Sequence, residues 1–158
     1  MKKIVIIYYS RSGNTAEMAK LIAEGARSVD GVHTDIFSVA DIDAKKMLEY
    51  DGIILGSPTY YGSMAYEIKK LIDESVAFHG KLDGKVGAAF TSAANIGGGN
   101  ETTILDMLNA MLIHGMVIQG NAKGDHYGPV SVGKPDERVK KQCNELGQRT
   151  AALVLKIA

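Results

Sequence analysis

The residues best suited to chemistry form a short polar run, Ser10-Arg11-Ser12-Gly13-Asn14-Thr15. It joins an apolar stretch to an amphipathic one, which reads as the turn from a strand into a helix. A helix N-terminus carries free backbone N–H groups and a partial positive charge, and both suit a phosphate. Hydroxyls at Ser10, Ser12 and Thr15 and the Asn14 amide add donors, while Gly13 permits close backbone approach. The GxxxxGK[ST] and GxGxxG patterns are both absent. A hydroxyl-rich loop without lysine suits a monophosphate ester. The other reading is a capped helix start, since Ser, Asn and Thr cap helices in any protein. Arg11 reads more readily as a solvated side chain than as a phosphate ligand.

Two further runs have the composition of binding loops. In Gly56-Ser57-Pro58-Thr59-Tyr60-Tyr61-Gly62, Pro58 sets a rigid turn and Gly62 allows a positive φ. Tyr60 and Tyr61 are suited to flank a planar ring, or else to pack on the core or at an oligomer interface. In Thr91-Ser92-Ala93-Ala94-Asn95-Ile96-Gly97-Gly98-Gly99-Asn100, successive glycines can turn backbone N–H groups toward an anion or a carbonyl. The alternative there is a flexible surface loop. This third run carries no aromatic residue.

Proton-transfer candidates are few. His126, beside Tyr127 in Gly124-Asp125-His126-Tyr127-Gly128, could donate to a ligand oxygen or could simply be solvated. His114 ends a helical pattern, where an imidazole also interacts favourably with the helix dipole. His33 and His79 read as surface residues. Cys143 falls on the apolar face of the last helix and reads as core. No His, Cys and carboxylate spacing resembles a metal site, so no metal is expected.

The elements that must position these groups alternate in type. Ile4–Tyr9 is a continuous apolar run, as in a strand buried on both faces. Met18, Ala19, Ile22 and Ala26 then mark a helix over residues 15–28. Further strands are read at Val32–Phe37, Asp51–Gly56, Lys85–Thr91 and Met116–Ile118. Met64 to Ile72, Ile104 to Leu112 and Val139 to Ile157 show helical spacing. Five strands alternating with helices predict an α/β fold, a parallel sheet covered on both faces. In such sheets ligands bind beyond the C-terminal strand ends, where all three polar runs lie.

The chain of 158 residues reads as one domain, 1–158. Basic and acidic residues both number 18, and this balance lacks the basic footprint of a nucleic-acid binder. The single cysteine rules out an internal disulfide and fits a reducing compartment. Met1 to Ser10 has two lysines before an apolar run, but no small-residue cleavage site follows. No run approaches the ~18 apolar residues of a membrane span. A cytoplasmic protein is expected.

The stretch Ile6-Ile7-Tyr8-Tyr9-Ser10-x-x-Gly13-x-Thr15-x-x-x-Ala19 resembles the phosphate-loop signature of the flavodoxin-like family. Gly56-x-Pro58-Thr59-x-x-Gly62-x-Met64, Gly97-Gly98-Gly99-Asn100-Glu101-Thr102-Thr103-Ile104 and His114-Gly115-Met116-Val117-Ile118 resemble the WrbA-type NAD(P)H:quinone oxidoreductases. The resemblance implies a doubly wound five-stranded sheet in order 2-1-3-4-5 and bound FMN. It implies NADH or NADPH as donor, a quinone-like acceptor, and a homodimer or homotetramer. The second loop would wrap the isoalloxazine ring, and the aromatic-free third loop would leave one flavin face open. His114 stands where the WrbA-like motif places a flavin-proximal histidine. The expected cofactor set is Ser10 to Thr15, Pro58 to Gly62, Ser92 to Asn95, Gly97, Gly98, Gly99 and Tyr127. His114 and His126 are the catalytic candidates. The chain departs from those enzymes in three ways. Residues 37–51 are too short for their tetramer-building insertion, residues 119–133 are compact, and there is no tryptophan, with Phe78 near the equivalent place. The alternative reading is a flavodoxin-type carrier of single electrons between protein partners.

Overall fold

A computed structural model describes residues 1–157. The strands are β1 (Lys2–Tyr8), β2 (Val32–Ser38), β3 (Gly52–Tyr60), β4 (Ser63–Met64), β5 (Val86–Ala93), β6 (Val117–Ile118) and β7 (Val130–Val132). The helices are α1 (Asn14–Arg27), α2 (Tyr66–Glu74), α3 (Asn100–Ile113) and α4 (Glu137–Ile157). The main path of the sheet runs β2-β1-β3-β5-β6, parallel throughout. The expected α/β architecture is therefore present.

The main path holds five strands, as expected, and among the described residues two short strands that were not expected lie off it. β4 folds back antiparallel on the end of β3, pairing Thr59 with Met64 and Tyr60 with Ser63. β7 pairs in parallel with the end of β5, from Thr91–Val130 to Ala93–Val132. Both are two or three residues long, too short for a periodic signal of their own. β3 and β5 also outrun their apolar cores, so Pro58, Thr59 and Tyr60 are strand rather than loop.

The apolar run of β1 is divided by the pleat. Ile4 and Ile6 face α1 and α4, and Val5 and Ile7 face α2 and α3; all four are fully buried. Met18 and Ile22 of α1 and Leu146 and Val154 of α4 complete the first core. Ile68, Leu71, Met107 and Met111 complete the second. Where α1 crosses α4, a Cβ on Gly25 would collide with the Asn144 carbonyl, and one on Gly147 with that of Ile22. Two helices are thus drawn against one face of the sheet, with their backbones in contact. Among the described residues, no helix is long and apolar enough to cross a membrane.

Candidate functional site

The turns after β1, β3 and β5 meet at one edge of the sheet, around a cleft of about 300 Å³. Such a volume is at the small end of ligand sites. The first loop contributes Arg11, Ser12, Asn14 and Thr15 to the walls, the second Pro58, Thr59 and Tyr60, and the third Ser92, Ala93 and Ala94. Gly133, at the end of β7, closes one side.

The first loop is not a conventional cap. Gly13 is the residue before α1, at φ 102°, and no side chain caps the helix. Ser10 Oγ instead accepts from the Gly13 N–H at 3.2 Å. The first N–H groups of α1 therefore keep their donor capacity, which suits an anion. Thr15 and Ser92 are both buried, and their hydroxyls bond at 2.8 Å, tying the first loop to the third. Thr59 and Thr91 hydroxyls bond at 2.9 Å, tying the second to the end of β5. Ser57 Oγ accepts from the Ala65 N–H at 2.8 Å and donates to the Pro58 carbonyl, bracing the β3–β4 hairpin from below.

The cleft wall is part polar and part apolar. Free N–H groups and hydroxyls gather at the start of α1, and Pro58, Tyr60, Ala93 and Ala94 add apolar surface. Tyr60 is held edge-on by Tyr9, with ring centroids 6.3 Å apart. This mixture of donors and apolar surface fits a molecule that carries both a phosphate and a planar ring, as FMN does.

Not every anticipated residue lines the cleft. Tyr61 points wholly into solvent from a backbone at φ 47°, and Gly62 follows at φ 79°. Asn95 and Gly97 are exposed and lie outside the lining, as does Gly98. Gly99 precedes α3 at φ 99°, and its bare backbone packs on Gly62. His126 and Tyr127 line a separate pocket of about 400 Å³ with Ile96, Asn100 and Arg138. His126 Nδ1 donates to the Asn121 carbonyl at 2.7 Å, which leaves Nε2 as the nitrogen open to the pocket.

His114 is the clearest correction. It caps the C-terminal end of α3, about 21 Å of helix from the end that meets the cleft. It is buried, and its Nε2 pairs with Ser75 Oγ at 2.7 Å. Ser75 donates to the Ile72 carbonyl, so His114 Nε2–H donates and Nδ1 has no partner. Phe78 stacks on its ring at 6.0 Å. Burial, with His79 nearby, lowers its pKa from the ordinary imidazole value. Within one chain this is a packed, neutral histidine, because α3 carries its two ends to opposite edges of the sheet. Cys143 is fully buried, and burial pushes its thiol up to about 12, so it is inert at neutral pH.

Gly133 was the cleft residue missed from sequence. Its only signal is the Val130-Ser131-Val132 alternation before it, too brief to separate from loop.

Residues 6–151 match a family model described as Flavodoxin. The chain is 36% identical to the Flavodoxin of Aquifex aeolicus, over 98% of this chain and 88% of that one. It is 34% identical to the NAD(P)H dehydrogenase (quinone) of Archaeoglobus fulgidus, over 99% and 100%. Among solved structures, the flavodoxin, WrbA-like protein from Agrobacterium tumefaciens superposes with a TM-score of 0.85 at 24% identity, over the whole of both chains.

Proposed function

This chain belongs to the flavodoxin family, and we propose that it is an FMN-dependent oxidoreductase, taking electrons from NADH or NADPH and passing them to a quinone or similar small acceptor. The chemistry FMN supplies when bound is acceptance of a hydride on its isoalloxazine ring and its onward release as electrons. The chain's own residues bind and orient. In this reading the first N–H groups of α1, with the hydroxyls of Ser10, Ser12 and Thr15, hold the phosphate. Pro58, Thr59 and Tyr60 flank one side of the ring, and Ser92, Ala93 and Ala94 the other. Of the two histidine candidates, only His126 has a ring nitrogen open to a pocket beside the third loop, so it is the one kept. With Nδ1–H held by the Asn121 carbonyl, Nε2 takes up a proton first and donates only from the protonated ring.

The observation that carries the reading is the third wall of the cleft. Ala93 and Ala94 line the wall that follows β5, and neither carries an aromatic ring that could cover a flavin face. Two methyl groups leave room for a nicotinamide or an acceptor. The zero net charge agrees, because a carrier steered onto partners gains from a strong field of one sign. The same reading takes residues 1–158 as one functional domain, working as a homodimer or homotetramer in the cytoplasm. The carrier alternative is favoured by flavodoxin relatives that match 98% of this chain.

Anaerobic mixing of the FMN-loaded protein with NADH or NADPH is expected to bleach the flavin absorbance, and added benzoquinone to restore it. Absence of bleaching with both nucleotides would overturn the enzyme in favour of the carrier. A protein that takes up no FMN at micromolar concentration would refute the cofactor itself.

A further inference from the structure

The β3–β4 turn has an unusual backbone. Tyr61 and Gly62 both take positive φ, 47° and 79°, as the two central residues of a two-residue hairpin. Tyr61 is not a residue that favours this conformation, and its exposed side chain makes no packing contact that would hold it there. The turn must therefore be held from elsewhere.

It is held by the first two turns of α3. Thr102 Oγ1 reaches the Gly62 carbonyl at 2.8 Å and the Gly99 carbonyl at 2.9 Å. Ser63 Oγ donates to Asp106 Oδ2 at 2.6 Å, a short charge-assisted bond between part-buried groups. Thr102 and Asp106 are four residues apart and share one helix face. Gly99 lies so close to Gly62 that a Cβ on it would collide with the Gly62 backbone. The second loop is thus fastened to the very point where the third loop enters α3.

We propose that Thr102 and Asp106 are positioning residues that set the spacing between the second and third loops before the cofactor arrives. The inference rests on the FMN reading, because those loops are the walls of the ring end of the cleft. Neither side chain lines the cleft. Their effect on affinity runs through the fraction of molecules whose slot is already formed, and the apparent Kd rises as that fraction falls. Departure of bound FMN, which depends on direct contacts, is left unchanged.

The test is the double variant Thr102→Val with Asp106→Ala in the full chain. In protein stripped of FMN, amide hydrogen exchange at residues 60–64 is expected to speed up, while β1 and β5 stay protected. The FMN Kd, read by fluorescence quenching, is expected to rise about ten-fold with an unchanged dissociation rate. Thr102→Ser with Asp106→Asn, which keeps a hydroxyl and an acceptor, is expected to restore both. Unchanged exchange overturns the proposal, as does faster exchange with an unchanged Kd. A ten-fold faster dissociation rate also overturns it, since that marks a contact residue. Loss of protection throughout β1 and β5 marks a global folding defect and counts against a local clamp. Failure of the wild-type chain to bind FMN sinks the cofactor reading, and the clamp with it. A wild type that binds FMN beside a variant with unchanged exchange sinks the clamp alone.

Discussion

Thr15 and Ser92 show what single residues contribute at this site. Each hydroxyl is buried, and each is the other's partner across 77 positions of sequence. Thr15→Val keeps the shape but leaves Ser92 Oγ without its partner. It is expected to lower the stability of FMN-free protein by about 1–3 kcal/mol, read from the urea midpoint. An unchanged midpoint would mean that water reaches the pair. His114 predicts a pH effect. Its folded pKa lies below the ordinary value, so the unfolded chain binds the proton more readily. The stability it contributes is complete above about pH 6.5 and is lost as pH falls through its lowered folded value. Unfolding midpoints measured between pH 5 and 8 are expected to fall toward acid in the wild type and to fall less steeply in His114→Gln. The reverse slope would mean that His114 is charged in the fold.

Elements add constraints that no single residue shows. α1 and α4 approach at Gly25 and Gly147, with no space for a methyl group at either. In a free helix, glycine to alanine is worth a gain of roughly 0.5–1 kcal/mol. Here the sign is expected to reverse, because each new Cβ meets a backbone carbonyl of the other helix. Gly25→Ala and Gly147→Ala are each expected to lose about 1–3 kcal/mol, measured by chemical denaturation. A gain from either would show that the helices can part freely. The alternating steps of four and three residues from Val139 to Ile157 made α4 legible, and α1 was read to within a residue at each end. The glycines inside them read only as weak helix formers, because the reason for them lies on another element.

At the scale of the molecule, the cleft belongs to no single element. It forms because parallel strands end together, so the turns after β1, β3 and β5 share one edge. FMN at a hundred times its Kd is expected to raise the unfolding free energy by about 2.7 kcal/mol, followed by denaturant titration. FMN without effect on unfolding would argue against a site formed only in the native state.

The sequence by itself determined the architecture. Periodicity and apolar runs report burial directly, whereas residue type and place alone left Ser10 to Thr15 open between an anion site and a capped helix start. Tertiary structure decided which residues share the site. Asn95, Gly97 and Gly98 left the lining, His126 and Tyr127 moved to a neighbouring pocket, and Gly133 entered through β7. His114 went to the far edge of the sheet, since only the direction of α3 says which end of the helix meets the cleft. Contacts across tens of residues, such as Thr15 with Ser92 or Ser63 with Asp106, have no local pattern in the chain, because each exists only when two loops are brought side by side.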